Sequence, residues 1–188
     1  MMRYLLLLAV VATPAIAQDK SLEAQGLQLW GKIHEVFSHP RCANCHVGPD
    51  HVPIWSGPSY GPKARPHGMN IHGGASRIGA EHIACSACHT QHNAQVPHGP
   101  PGAKVWLLPP VEMQWFGKSS AEICAQIKDP ARNGGRTIAK VAEHIDHDAL
   151  VHWGWTPGPG REPAPRSIAQ LVEHLKQWDV AGAPCPTK

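Results

Sequence analysis

Apolar residues recur every three or four positions between residues 21 and 38, which is the spacing of one face of an α-helix. Pro40 ends this helix, because proline lacks a backbone donor and disfavours helical geometry in the residue before it. The apolar face consists of Leu22, Leu29, Trp30, Ile33, Val36 and Phe37. The pattern therefore predicts one amphipathic helix in the first part of the chain.

Three more helices are predicted in the last third of the chain. Residues 119–129 begin with a capping box, in which the side chains of Ser119 and Glu122 each bond the other's backbone N–H. A second helix is expected over residues 137–152, and a third over residues 167–182, where a serine and a glycine mark the ends. The predicted fold class is mainly α, with extensive irregular loops.

Helical periodicity is lost between these segments. Residues 47–78 and 90–118 are rich in proline, glycine or histidine, which predicts loops that wrap around the rest of the chain. The second loop also carries several large apolar side chains, which are Trp106, Leu107, Leu108, Trp115 and Phe116. It is too apolar to be a free linker.

Two copies of the pattern Cys-x-x-Cys-His occur next to these loops, one just before residue 47 and one just before residue 90. This pattern is the attachment signature of c-type haem. The copies are Cys42-Ala43-Asn44-Cys45-His46 and Cys85-Ser86-Ala87-Cys88-His89. Cysteines three positions apart lie about one helical turn from each other, so both thiols reach the vinyl groups of one porphyrin. The histidine that follows is the expected proximal iron ligand. The alternative, a structural zinc site built from two Cys-x-x-Cys knuckles, leaves both histidines unexplained.

The two signatures start 43 residues apart, which is too short for tandem single-haem cytochrome domains. We therefore expect one compact dihaem cytochrome, with a radius of gyration of about 16 Å, in which the two covalently attached haems are neighbours. The chain has 19 Pro and 18 Gly but only two Phe and two Tyr, so its ordinary core is small for its length. Two buried porphyrins supply the missing apolar mass, and the loop at residues 90–118 is expected to cover a haem edge.

The first 17 residues have the pattern of a secretory signal peptide. A basic residue, Arg3, precedes an apolar run, and Ala15-Ile16-Ala17 is a small-x-small cleavage site. Cleavage after Ala17 leaves a mature chain of residues 18–188, expected in the periplasm, where c-type haem is attached. An uncleaved anchor is the alternative, and the proline just before the cleavage site argues against it.

Two cysteines remain outside the signatures, Cys124 and Cys185. In an exported protein an even remainder favours a disulfide, and a thiolate ligand or a free thiol is the less favoured alternative. On the chain-entropy model, closing a loop of about 60 residues stabilises the fold by about 4 kcal/mol. The mature domain is then expected to have a haem-binding part, residues 18–118, and a helical part, residues 119–188. The bridge lies within the helical part and cross-links it.

The charge balance argues against a nucleic-acid partner. The chain has 17 Lys and Arg against 14 Asp and Glu, without a basic run. No apolar stretch after the signal peptide is long enough to span a membrane.

The signatures do not specify the sixth ligand of either iron. Of the 12 remaining histidines, His67 lies in a loop between the signatures and His144 comes from the later helical region. His39 is so close to Cys42 that, if it is a ligand, the neighbouring haem is the better candidate. Met69 is the alternative ligand type, which raises the reduction potential relative to two histidines. Two of the four methionines lie in the signal peptide, so ligation by two histidines is preferred.

Several segments together resemble a family of small exported dihaem c-type proteins known as isoquinoline 1-oxidoreductase subunits. The segments are Phe37–His46, His67–Asn70, Cys85–His89, Asp129–Gly135, Trp153–Gly158 with Gly160-Arg161, and Ala183–Pro186. The resemblance implies His39, His67 and His144 as motif positions, and a periplasmic molybdenum hydroxylase as the redox partner. The chain carries neither an iron–sulfur cysteine pattern nor a molybdopterin-sized domain, so it fits only the electron-carrying partner.

Electron transfer is the leading functional hypothesis, with no catalytic residue and two irons tuned by ligation and burial. The alternative is a peroxidase-like haem enzyme, in which one haem has an open site. That enzyme needs a distal His, Arg or Glu, and Arg41, Arg65 and Arg77 are available, although each has a solvent or propionate-pairing explanation. Nothing specific favours a haem-based sensor or a structural subunit.

Overall fold

The first helix, α1, spans Pro14–Phe37. The computed structural model describes residues 14–61 and 63–187, with side chains described from residue 19 onward. Residues 1–13 of the predicted signal peptide thus lie outside the described residues, and residues 14–17 form the start of α1. In the described ranges, no helix is both long and apolar enough to cross a membrane.

The chain between α1 and the later helices is irregular, as predicted. Pro40 does more than end α1, because it also begins a short helix, α2 (Pro40–Ala43). Proline is favoured in a first helical turn, where its missing N–H has no partner to lose. Two short strands, β1 (Ile54–Trp55) and β2 (Arg65–Pro66), pair in antiparallel fashion. Short 3-10 turns follow at Pro58–Tyr60, Gly68–Asn70, Cys85–Ala87 and Val111–Met113.

Four helices occupy the last third of the chain, one more than the periodicity predicts. They are α3 (Ser120–Lys128), α4 (Ile138–His147), α5 (Ala149–His152) and α6 (Ile168–Val180). The single helix predicted over residues 137–152 is divided at Asp148, whose backbone is extended. The Asp148 carboxylate accepts hydrogen bonds from the N–H groups of Leu150 and Val151 and so caps α5. Aspartate competes in this way with the helical hydrogen-bond pattern.

The core lies where α1, α4 and α6 pack together, with α6 in contact with both of the others. The rings of Trp30 and Trp178 lie 5.0 Å apart between α1 and α6. The indole N–H of Trp30 donates to the Ser120 hydroxyl over 2.8 Å and so ties α1 to α3. The fold is therefore mainly α, and its first helix belongs to the same core as its last.

Cys124 and Cys185 form the predicted disulfide. The bond joins α3 to the C-terminal tail, which also accepts two hydrogen bonds from the helices. The Trp178 indole N–H donates to the Pro184 carbonyl over 3.0 Å, and the Lys128 ammonium donates to a tail carbonyl over 2.6 Å. The tail is thus held against the helices at three points.

Candidate dihaem site

The first Cys-x-x-Cys-His motif lies on α2 and the turn that follows it. The N–H groups of Cys45 and His46 both donate to the Cys42 carbonyl, each over 3.2 Å, so one turn carries both thiols and the imidazole. Asn44, between the two cysteines, is buried and exchanges hydrogen bonds with Ser56 over 2.6 and 3.2 Å. These bonds anchor the motif to the segment that follows β1.

The second motif repeats this backbone arrangement on the 3-10 turn Cys85–Ala87. The N–H groups of Cys88 and His89 both donate to the Cys85 carbonyl, over 3.2 and 2.9 Å. The N–H of Cys85 itself donates to the Ile78 carbonyl over 2.8 Å. The second motif is more accessible than the first, since Cys88 is exposed and both cysteines of the first motif are partly covered.

His46 is held between a backbone carbonyl and an aromatic ring. Its Nδ1 lies 2.7 Å from the carbonyl oxygen of Met113. Its ring stacks on Trp115 with 3.5 Å between centroids and 2° between planes. Because a carbonyl oxygen only accepts, Nδ1 carries the proton and the Nε2 lone pair is left for a metal.

His89 is held in the same way by a different part of the chain. Its Nδ1 lies 2.9 Å from the carbonyl oxygen of Pro101, and its ring stacks on Trp106 at 4.4 Å with 11° between planes. Both motif histidines therefore present Nε2 as the free nitrogen. This is the arrangement that usually orients a histidine ligand of a metal.

A cavity of about 420 Å³ opens beside the first motif. Cys42, Cys45 and His46 line one side of it, and the predicted covering loop contributes residues 106–110. The same loop also contributes Met113 and Trp115, and the remaining wall is largely apolar and includes Phe37, Val141, Ile145, Val151 and Trp153. Both the volume and the apolar lining are typical of a cofactor site.

Two buried donors in the wall of this cavity lack a hydrogen-bond partner among the described residues. They are Nε of Arg41 and Nε1 of Trp115. An unpaired buried donor costs roughly 1–3 kcal/mol, so these atoms indicate an acceptor that belongs in the cavity. Arg77 and Arg136 also line this cavity. A porphyrin with two carboxylate arms fits this combination of apolar wall and unpaired donors.

Burial controls the protonation states at the first motif. Burial raises the pKa of the Cys42 thiol to about 12 and that of Cys45 to about 11. Burial also lowers the pKa of His46 to about 4, against the opposing effect of the hydrogen bond to Met113. The His46 ring is therefore neutral near pH 7, which is the form that binds a metal.

The second motif lies beside exposed apolar side chains. Ile78, whose carbonyl accepts from Cys85, is 41% exposed, and so is Trp55. The Trp55 ring meets His67 edge-on at 5.2 Å, and the His67 ring lies 6.1 Å from that of His89. A flat apolar group attached to this motif would cover such side chains, so these residues also fit a porphyrin.

The two motifs are neighbours in space. Trp106 stacks on His89 and also lines the cavity of the first motif. Its ring meets Trp153 edge-on at 5.4 Å, and Trp153 lines the same cavity. A chain of aromatic contacts thus connects the second histidine with the first cavity.

The three distal-ligand candidates from the sequence occupy different places. His144 lines the first cavity, and His67 lies beside His89. His39 is the N-cap of α2, where its Nδ1 accepts a backbone N–H over 3.2 Å. Met69 follows His67 in the same turn and is 75% exposed.

Sequence reasoning missed what holds the motif histidines. The carbonyls of Met113 and Pro101 leave no signature, since every residue carries a carbonyl. Trp106 and Trp115 were marked only as members of an apolar loop. The zinc alternative requires a group of His, Cys, Asp or Glu side chains placed around one metal ion. In residues 14–61 and 63–187, no group of three or more such residues is placed in this way.

We find no family model, curated protein or solved structure that matches this chain. The function is therefore argued from the two motifs and their surroundings.

Proposed function

We propose that this protein is a periplasmic dihaem c-type cytochrome that transfers electrons from a dehydrogenase or oxidoreductase partner to a downstream acceptor. One observation carries the proposal. Two Cys-x-x-Cys-His turns have the same backbone hydrogen bonds, and each presents a histidine whose Nδ1 faces a carbonyl and whose Nε2 is free. Such a repeated arrangement is what two equivalent haem attachments need.

Each haem, when bound, supplies a reversible one-electron step at its iron. The chain's own residues attach, orient and shield these groups. Cys42 and Cys45 hold one porphyrin and the second motif holds the other, while His46 and His89 act as proximal ligands. The carbonyls behind these two histidines keep the donor nitrogens aimed at the irons. No acid–base residue is needed, because no substrate bond is made or broken.

The two sites differ in exposure, and this difference suits an electron carrier. The first is enclosed by helices α4 and α5 and by the covering loop, whereas Cys88 of the second is exposed. We assign the second site to electron exchange with a partner, and the stacked ring of Trp106 to the contact between the sites. The proposed partner is a periplasmic molybdenum hydroxylase, which the family resemblance implies.

The test is to express the chain with a c-type haem maturation system and to count covalently attached haems after denaturation. We expect two per chain, both low-spin, with spectra that do not change when carbon monoxide is added to the reduced protein. The variants C42S/C45S and C85S/C88S are matched controls, and each should retain one haem.

Two results would argue against this function. Fewer than two attached haems in the wild-type protein contradicts the dihaem cytochrome itself. Carbon monoxide binding by one haem of the wild-type protein instead favours the peroxidase-like alternative, because it requires an open iron site.

A further inference from the structure

The tautomer of a neutral histidine decides whether its Nε2 binds iron. Nε2 needs a free lone pair, so the ring proton must be on Nδ1 and must face an acceptor. Apart from the two motif histidines, His67 meets this condition, since its Nδ1 lies 2.9 Å from the Gly68 carbonyl oxygen. At His144, Nδ1 faces the Asp148 carboxylate at 3.6 Å, which also favours the proton on Nδ1.

The position of His67 pairs it with the second motif. Its ring centroid lies 6.1 Å from that of His89, with 53° between the planes. Two imidazoles on opposite faces of one metal, each bound at about 2 Å, have ring centres about 6 Å apart. The two free Nε2 atoms therefore belong to rings whose separation matches ligation of a single iron.

The position of His144 pairs it with the first motif. It projects from α4 into the cavity that Cys42, Cys45 and His46 line from the other side. Among the residues that line this cavity, His46 and His144 are the two histidines. Asp148 is the residue that divides α4 from α5, and its carboxylate lies beside Nδ1 of His144. The residue at the helix break is therefore also the partner of Nδ1.

Two other histidines have the opposite tautomer. Nδ1 of His39 accepts the N–H of Arg41, which places the proton of the neutral ring on Nε2. Nε2 of His152 faces the carbonyl oxygens of Ile145 and Asp146 at 3.1 and 2.9 Å, so it too carries the proton. Neither ring offers an Nε2 lone pair.

We infer that His144 is the distal ligand of the haem on the first motif and that His67 is the distal ligand of the haem on the second. This assignment rests on the proposed dihaem function. It gives both irons two histidine ligands and leaves neither site open.

The test removes each ligand and measures carbon monoxide binding to the reduced protein, together with the haem content. We expect H67A and H144A each to make one of the two haems high-spin and able to bind carbon monoxide. H39A and H147A are the controls, and in both variants the two haems should stay low-spin and should not bind carbon monoxide. His147 is a close match for His144, because it lies on the same helix with Nδ1 2.9 Å from a carbonyl, yet its side chain is 73% exposed.

The pairing is tested in the two single-haem backgrounds. In the C85S/C88S background, H144A should allow the remaining haem to bind carbon monoxide and H67A should not. In the C42S/C45S background, H67A should allow carbon monoxide binding and H144A should not. If either alanine variant loses its haem or fails to fold, H67M and H144M serve instead. Each should stay low-spin and raise the reduction potential of one haem, because methionine ligation raises it relative to histidine.

The experiment gives different results if this ligand assignment is wrong and if the proposed function is wrong. If the wild type holds two haems silent to carbon monoxide, and the variants remain unchanged or open the opposite haem, only the ligand assignment is wrong. If the wild type holds fewer than two haems or itself binds carbon monoxide, the proposed function fails before the variants are made.

Discussion

A single backbone carbonyl faces Nδ1 of each motif histidine, so residues that place this carbonyl also affect the orientation of the ring. At the second motif the carbonyl belongs to Pro101, and its neighbour Gly102 lies directly against the backbone of His92. A Cβ on Gly102 would come within 2.2 Å of the carbonyl carbon and oxygen of His92. The N–H of Gly102 also donates to the Asn93 side chain over 3.0 Å. Glycine is needed here for close approach of two backbone segments.

We therefore predict that G102A lowers the free energy of unfolding by about 1–3 kcal/mol, the usual cost of overpacking. It should also alter the spectrum of the second haem, because the backbone beside the Pro101 carbonyl, which faces His89, has to shift. Urea unfolding and the spectrum of the C42S/C45S single-haem protein measure the two effects.

G31A is the control for this substitution. Gly31 lies on α1, and an added Cβ there meets no atom within 4 Å. Alanine should raise the free energy of unfolding by about 0.5–1 kcal/mol at such a helical position. Equal unfolding curves for G102A and G31A would show that residue 102 has room for a side chain.

The individual helices depend on caps that the amino-acid pattern predicts well. At the start of α3, the Glu122 carboxylate accepts hydrogen bonds from the backbone N–H and hydroxyl of Ser119. These bonds, together with Lys118, lower the pKa of Glu122 from its ordinary 4.5 to about 2. At the start of α6, Ser167 forms the same box with Gln170, which does not titrate.

The α3 cap should make stability depend on pH in a defined window. Because the pKa of Glu122 is lower in the folded chain, its ionised form stabilises α3 fully above pH 4.5. This contribution is lost as the pH falls through about 2. The advantage of the wild type over E122Q should thus be constant from pH 7 to 5 and disappear near pH 2, measured by urea unfolding.

S167A provides a comparison at the uncharged cap. It should lower the free energy of unfolding by about 1 kcal/mol, and by the same amount at pH 7 and pH 3. A difference between wild type and E122Q that persists unchanged at pH 2 would mean that the Glu122 carboxylate does not contribute through its charge.

In the molecule as a whole, one helical core supports a loop region that has little core of its own. The helices α1, α4 and α6 form this core, and the Cys124–Cys185 bridge joins α3 to the C-terminal tail. Helix α4 also forms one wall of the first cavity. The covering loop closes another wall. Stability of the helical core and geometry of the first site are therefore coupled through α4.

Removing the bridge tests how much of this stability comes from the cross-link. C124A/C185A should lower the free energy of unfolding by about 4 kcal/mol, since the two cysteines are 61 positions apart. Both haems should stay attached, because their cysteines lie elsewhere. Guanidinium unfolding of the haem-loaded protein measures the loss.

K128M tests the same tail contact without breaking the bridge. It removes the Lys128 hydrogen bond to the tail and should cost about 1 kcal/mol. A loss below about 1 kcal/mol in C124A/C185A would show that the helix and tail contacts alone close the fold.

The sequence predicts that these helices exist more accurately than it predicts where each of them ends. Apolar spacing and the serine caps located α3 and α6 to within two residues, because both signals are local. The division between α4 and α5 was missed, since the apolar face continues past Asp148 and only its backbone and cap bonds reveal the break. The sequence predicts Pro40 as the residue that ends the first helix, whereas the same residue also begins α2.

The motifs, the cap residues and the cysteine pair can be predicted from the amino-acid sequence, because they depend on residue types and short spacings along the chain. Each Cys-x-x-Cys-His motif consists of five consecutive residues, and the two cysteines outside the motifs form the bridge. Tertiary packing alone decides that Met113 lies behind His46, 67 positions away, and that Trp106 lies between the two motifs. Tertiary packing likewise places His144 at the first cavity and His67 beside His89, out of 12 similar side chains. The reason is that these roles depend on which nitrogen is free and what it faces, and both are set by distant parts of the chain.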